Sequence, residues 1–140
     1  MSNDRLIFVT NDDGYQAKGF EAALQVAREF GRVVAVAPAT MQSGKSQAID
    51  FFREVEIKRT PRLGEVEAWA MDSTPADCVR FGIVGLKKEY DLVISGINKG
   101  FNLGHDIAYS GTVGAIFEAA RLGVPAIAFS MDYEANAENV

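Results

Sequence analysis

The 140-residue sequence has little of two chemically versatile residues, with one cysteine and one histidine. A lone cysteine, Cys78, excludes an internal disulfide framework, and we interpret it as a small buried hydrophobic residue. The histidine, His105, lies in a glycine-rich stretch, and a Ser-His-Asp or Cys-His mechanism would depend on it alone. Because no G-x-S-x-G motif accompanies it and no Cys/His pairing suggests zinc, we expect a solvated loop histidine.

An excess of positive charge and long hydrophobic runs are also lacking. The 14 Lys and Arg residues against 19 Asp and Glu residues give a net charge of -5, which argues against binding a long nucleic acid through its backbone. No apolar run reaches membrane-spanning length, and the first residues lack the basic start and apolar core of a signal peptide. We therefore expect a cytoplasmic protein of one domain without a membrane partner.

Two familiar phosphate-binding motifs are incomplete. The G-K-S at residues 44–46 lacks the glycine that a P-loop carries five positions earlier, where this sequence has Ala39, and no evident helix follows it. No G-x-G-x-x-G follows the first predicted strand, so dinucleotide binding has no support.

Apolar runs rich in β-branched residues alternate with helix-length segments of helical periodicity. The runs predict strands, and the periodic segments predict helices that end near Gly31 and Gly123, with one helix starting at Thr74-Pro75. The predicted strands cover residues 6–10, 32–37, 91–95 and 125–130, and two extended segments around a turn at 60–64 predict a β-hairpin arm over 51–58 and 66–70. This order predicts an α/β fold of the three-layer Rossmann-like class, with a mainly parallel, doubly wound sheet. The acidic tail from residue 132 to residue 140 is typical of the start of a connection.

Polar side chains follow several of the predicted strands. Asp12 and Asp13 follow the first strand, Ser43 lies in the loop after the second, and Asn98 follows the strand at 91–95. In a parallel sheet these groups converge at the carboxyl edge, where ligands bind. Their oxygens suit one hard divalent cation, Mg²⁺ or Mn²⁺, which would also relieve the repulsion between the adjacent carboxylates. The alternative for the aspartates is a polar turn, and for Ser43 and Asn98 it is loop hydrogen bonding.

A second candidate element is Tyr109-Ser110-Gly111-Thr112, just before a predicted helix. Free backbone N–H groups and the helix dipole make a helix N-terminus an anion site, Gly111 lets a phosphate approach closely, and the Ser110 and Thr112 hydroxyls can donate. The alternative is an ordinary N-cap supplied by Ser110 or Thr112.

Five stretches together resemble the SurE survival-protein family of metal-dependent nucleotidases, in the order and spacing of that family. They are V-T-N-D-D-G (9–14), V-A-P-A-T-M-Q-S-G (36–44), S-T-P-A-D-C-V (73–79), D-L-V-I-S-G-I-N-K-G-F-N-L-G-H-D (91–106) and Y-S-G-T-V-G-A (109–115). The resemblance implies a phosphomonoesterase that acts on nucleoside monophosphates at the 5′ or 3′ position, and also on short polyphosphate. It also implies a homo-oligomer, a dimer or tetramer.

The resemblance places the metal ligands at Asp12, Asp13, Ser43 and Asn98, with either aspartate acting on the attacking water. It places the phosphate contacts at Asn102, Ser110, Gly111 and Thr112. Family members extend well beyond residue 140, so we expect residues 1–140 to form a single SurE-like α/β domain that lacks the C-terminal part of the family fold.

Two alternatives to the nucleotidase are a truncated domain that binds metal and phosphate without turnover, and a receiver-like signalling module. Receiver domains need a phosphoacceptor aspartate at another strand end, whereas the predicted strands end in Pro38, Ser95 and Ser130.

Overall fold

The computed structural model describes residues 4–61 and 66–134, which form six strands and four helices. In chain order the elements are β1 (Leu6–Thr10), α1 (Lys18–Arg28), β2 (Arg32–Pro38), β3 (Ile57–Thr60), β4 (Glu67–Met71), α2 (Pro75–Arg80), β5 (Leu92–Lys99), α3 (Asp106–Tyr109), α4 (Gly111–Arg121) and β6 (Ala126–Met131). A π-helical turn, Phe81–Gly85, continues α2.

The sheet has the strand order β3-β4-β2-β1-β5-β6 and is parallel except for β3. β1 lies near the centre, where Phe8 pairs with Val34 of β2 and Thr10 pairs with Ser95 of β5. The predicted α/β class with a mainly parallel sheet is therefore confirmed. Because parallel strands share a direction, the residues after β1, β2 and β5 reach the same edge.

The central strands are buried on both faces, which explains their continuous apolar sequences. α1 covers one face, where Phe20 and Leu24 pack against Ile7 and Val9 in one core cluster. The second cluster, on the opposite face, packs Phe8 against the residues of α2 and α4. The buried interpretation of Cys78 is confirmed, since it is fully buried in this second cluster, and burial raises the pKa of its thiol.

The hairpin arm is present as the antiparallel pair of β3 and β4, in which Lys58 pairs with Ala70. Most of the predicted turn, residues 62–64, lies outside the described residues, as does the end of the predicted acidic tail, residues 135–140. The first segment of the arm is shorter than predicted, because regular pairing begins only at Ile57.

Helix termini were predicted with mixed success. Thr74 caps α2 as predicted, since its hydroxyl accepts a hydrogen bond from the Asp77 N–H at 3.2 Å and Pro75 follows as the first helical residue. α4 ends just before Gly123, which has φ of +83°. Gly31 does not terminate α1 in the left-handed conformation, because the helix already stops at Arg28. Gly31 instead packs against Arg5, and a Cβ on Gly31 would lie 2.5 Å from the Arg5 carbonyl oxygen.

β5 is longer than predicted and carries a bulge. It continues past Ser95 to Lys99, with a register shift against β6 between Ser95 and Asn98. Gly96, with φ of +137°, makes the shift possible, because a side chain there would collide with the Phe129 carbonyl of β6. Bulges commonly redirect side chains beside functional sites. This bulge lies immediately before Asn98.

We predict that Gly82→Ala destabilises the fold, because a Cβ at this position would collide with the ring of Phe8, which is fully buried. Overpacking of this kind costs about 1–3 kcal/mol in the free energy of unfolding, measurable by urea denaturation. Adding Phe8→Leu, which shortens the opposing side chain, should recover part of the loss. If the double variant loses as much free energy of unfolding as the two single variants together, or more, the loss does not arise from this collision.

Candidate metal and phosphate site

The first element of the site is a buried carboxylate. Asp12 follows β1 and is only 4% exposed, and its Oδ1 accepts a hydrogen bond from the Thr112 hydroxyl at 2.7 Å. This bond joins the end of β1 to the first turn of α4, so the predicted metal and anion elements are in direct contact. Gly111 makes the approach possible, since a Cβ there would lie 2.9 Å from the Asp12 Cβ.

Burial makes ionisation of Asp12 expensive. Desolvation is the largest influence and raises its pKa to about 6, the Asp13 charge adds to the rise, and the bond from Thr112 opposes it. A cation beside the carboxylate would offset this desolvation cost.

The second carboxylate reaches the end of β5. Asp13 is partly exposed, and its Oδ2 accepts a hydrogen bond from the Lys99 backbone N–H at 3.1 Å. Asn98, next to Lys99, donates from Nδ2 to the Gly100 carbonyl at 2.8 Å, which leaves its side-chain oxygen as the acceptor end of the amide. Asp13 and Asn98, predicted from separate strands, are therefore brought to one place.

The loop after β2 crosses over Asp12. The Gln42 N–H donates to the Asp12 backbone carbonyl at 2.7 Å, and Ser43 follows as an exposed residue of the same loop. This contact holds the loop that carries Ser43 against the end of β1. The elements that carry all four predicted metal ligands, Asp12, Asp13, Ser43 and Asn98, therefore meet at the carboxyl edge.

The predicted phosphate contacts lie on two sides of this edge. Ser110 acts as the N-cap of α4, since its hydroxyl accepts from the Val113 N–H at 3.2 Å. In an α-helix the first amides have no acceptor within the helix, and in α4 these belong to Gly111 and Thr112.

Asn102, the remaining predicted phosphate contact, lies on the other side of the edge. It donates from Nδ2 to the Ser130 hydroxyl at 2.6 Å, and Ser130 pairs with Asn98 across β5 and β6.

The donor chemistry fits a hard divalent cation. Two carboxylates, a hydroxyl and an amide carbonyl are oxygen ligands of the kind that Mg²⁺ and Mn²⁺ prefer. Within residues 4–61 and 66–134, no group of three or more His, Cys, Asp or Glu side chains is placed to hold a metal, as expected for a set with only two acidic members. His105 is exposed at the start of α3, in agreement with the solvated histidine predicted for it.

Three features of the site escaped sequence reasoning. They are the Lys99 amide that holds Asp13, the Gln42 amide that holds the Ser43 loop, and the buried residue Glu118 of α4. The two amides leave no signal in side-chain identity. Glu118 does leave one, because it stands three positions after Ala115 and seven after Gly111, on the buried face of the helix.

These features define an α/β protein with an oxygen-donor site at the carboxyl edge of its sheet, beside the N-terminus of a helix. A family model described as Survival protein SurE matches residues 7–140. The chain therefore belongs to the SurE family, which confirms the resemblance of its five motifs.

Relatives of known name and structure agree with this assignment. The chain is 47% identical over 126 residues to a protein named 5′-nucleotidase SurE from Acinetobacter baumannii (strain SDF), covering 89% of this chain and 48% of the relative. It is 44% identical over 128 residues to a protein of the same name from Rhodopirellula baltica, covering 90% and 51%. The crystal structure of the SurE protein from Aquifex aeolicus matches with a TM-score of 0.83 at 39% identity, covering 95% of this chain and 54% of that one. The chain thus spans about half the length of these relatives.

A helix must be both long and hydrophobic to span a membrane. None of the helices in the described part of the chain is long and apolar enough to cross a membrane.

We predict that Asp12→Asn stabilises the metal-free chain at neutral pH. A carboxyl with a pKa of about 6 when folded, against an ordinary value of 3.8, destabilises the folded state above both values. An amide removes that cost, so the free energy of unfolding should rise by an amount on the order of 2 kcal/mol. The gain should shrink as the pH falls from about 6 to about 4, because Asp12 is then protonated in the folded state and takes up its proton increasingly in the unfolded state as well.

Urea denaturation in EDTA, at neutral pH and at about pH 4, checks this prediction. The isosteric change Asp4→Asn, at an exposed position before β1, is the control. A variant that is less stable than the parent at neutral pH in EDTA would contradict it.

Proposed function

We propose that this chain carries the catalytic site of a phosphomonoesterase that hydrolyses nucleoside monophosphates and depends on one divalent cation, Mg²⁺ or Mn²⁺. The observation that carries the proposal is the hydrogen bond between Asp12 and Thr112, which joins a buried carboxylate to the N-terminus of α4. Cation-binding and anion-binding elements in contact suit a phosphate ester. The name 5′-nucleotidase of the relatives supports the nucleotide as substrate.

Asp12, Asp13, Ser43 and Asn98 would hold the cation. When bound, a divalent ion polarises a phosphoryl oxygen and lowers the pKa of water. The Gly111 and Thr112 amides and the Asn102 side chain bind phosphoryl oxygens and stabilise the charge that develops in the transition state. One of the two aspartates orients the attacking water or accepts its proton.

Several finer points remain predictions. They are the choice between 5′ and 3′ esters, activity on short polyphosphate, assembly into a dimer or tetramer, and a cytoplasmic location. The same holds for the organisation of residues 1–140 as one domain.

Phosphate release from a panel of nucleoside monophosphates and one aryl phosphate, with Mg²⁺, Mn²⁺ or EDTA, tests the proposed function. We expect turnover that requires metal and that falls by several orders of magnitude in Asp13→Asn. Asp91→Asn, on the opposite edge of the sheet, is the matched control and should keep its activity. Folded parent protein that binds metal but releases no phosphate would favour the alternative of a binding domain without turnover.

Thr112→Val tests the role of the hydroxyl that holds Asp12. We expect kcat to fall about ten- to a hundredfold, as for loss of an outer-shell partner of a metal ligand, because Asp12 loses its hydrogen bond. Thr112→Ser retains the hydroxyl and should recover most of the rate. Equal rates for the valine and serine variants would exclude a role for this hydroxyl.

A further inference from the structure

The loop that carries Ser43 is fixed to the protein on both sides of that residue. On one side, the Gln42 N–H donates to the Asp12 carbonyl at 2.7 Å. On the other side, the Ser46 N–H donates to the Tyr109 carbonyl at 3.0 Å, and the Ser46 hydroxyl donates to the Ala108 carbonyl at 2.7 Å. Ser43 therefore lies in a short exposed span between two attachments.

The second attachment continues from α3 to the body of α4. α3 is an exposed helix of four residues, whereas Gln47 reaches α4 itself, where its Nε2 donates to Glu118 Oε2 at 2.9 Å. The loop also packs directly on α4, because a Cβ at Gly114 would collide with the Ser46 carbonyl oxygen.

Glu118 is a fixed acceptor for this bond. Its side chain is 3% exposed, and its Oε1 accepts from Arg121 at 2.6 Å and from Arg80 at 3.1 Å. The hydrogen bond from Arg121 is the largest influence that lowers the pKa of Glu118 to about 2, so the carboxyl is ionised at neutral pH. Arg121 also donates from Nε to Glu118 Oε2 at 3.2 Å. Two arginines from different helices thus orient the carboxylate, and its Oε2 accepts from Gln47 as well.

We propose that Glu118 and Gln47 are positioning residues, which hold the Ser43 loop on α4 so that Ser43 is ready to bind the cation beside Asp12. This inference rests on the proposed metal site. A loop held firmly on both sides of Ser43 is already ordered. Without the Gln47 bond the second attachment rests on the exposed helix α3 through Ser46, so part of the ordering falls to the cation, which reduces the net binding free energy. Neither residue needs to touch substrate for this role.

Gln47→Leu tests the proposal, because leucine keeps the bulk and removes the donor. We expect the affinity for Mn²⁺, measured by calorimetry, to fall roughly tenfold, the lower end of the effect of outer-shell partners on metal sites. At saturating Mn²⁺ the kcat should return to within about twofold of the parent, because the bound cation orders the loop. Gln25→Leu, the same change on the exposed side of α1, should leave the affinity unchanged.

An exchanged pair provides a rescue test. Gln47→Glu alone opposes two carboxylates and should weaken Mn²⁺ binding more than Gln47→Leu. Adding Glu118→Gln removes one of the two opposed charges and should recover part of the affinity, while the loss of the ion pairs with Arg80 and Arg121 keeps the recovery incomplete. Hydrogen exchange at the Ser46 amide in EDTA should be faster in Gln47→Leu and slower again in the exchanged pair than in Gln47→Glu.

The proposal would be overturned if Gln47→Leu bound Mn²⁺ as tightly as the parent. It would also be overturned if the kcat of this variant stayed low at saturating Mn²⁺. A parent chain that binds no divalent metal would refute the metal site and this inference together. A parent that binds metal without hydrolysing nucleotides would refute the proposed activity alone, and calorimetry would still decide the role of Gln47.

Discussion

The Asp12 carboxylate is buried where the central strand β1 meets the first turn of α4, and its only direct side-chain donor among the described residues is Thr112. A charge in this position costs free energy, which its raised pKa of about 6 expresses. The surrounding groups reduce that cost without removing it, because Asp13 contributes a second negative charge next to it. A cation between these carboxylates would offset both the desolvation of Asp12 and its repulsion by Asp13. The carboxylate that costs the metal-free fold free energy is therefore also the group best suited to bind a metal.

The site forms only because backbone segments approach one another closely at three glycines. Gly111 lets α4 lie against Asp12, Gly114 lets the Ser43 loop lie against α4, and Gly96 lets β5 bulge before Asn98. Each glycine serves a different contact, yet all three bring a predicted ligand or phosphate contact toward the same edge. The precision of the site therefore depends on missing side chains as much as on the oxygens that are present.

The fold was largely predictable because its strongest local signals agree with its global packing. The continuous apolar strands predicted a sheet covered on both faces, and Thr74-Pro75 predicted the start of α2. The predictions were weaker where tertiary contacts decide the local structure. β5 extends to Lys99 because Gly96 and β6 accommodate a bulge, and Gly31 serves a contact with Arg5 and not a helix terminus, as no local pattern could have indicated.

The site separates into a part that sequence can predict and a part that it cannot. Residue types after parallel strands predict which oxygens converge, since the strand direction alone brings Asp12, Asp13 and Asn98 to one edge. What holds the loop of the proposed fourth ligand, Ser43, is decided by pairs far apart in sequence, such as Gln47 and Glu118, whose contact depends on how α4 packs. Glu118 lies on an otherwise apolar face of α4, at a cost that its two arginines offset. A charge kept in such a place is better explained by what it orients than by the stability it adds, because a buried ion pair is often no more stable than apolar packing of the same volume.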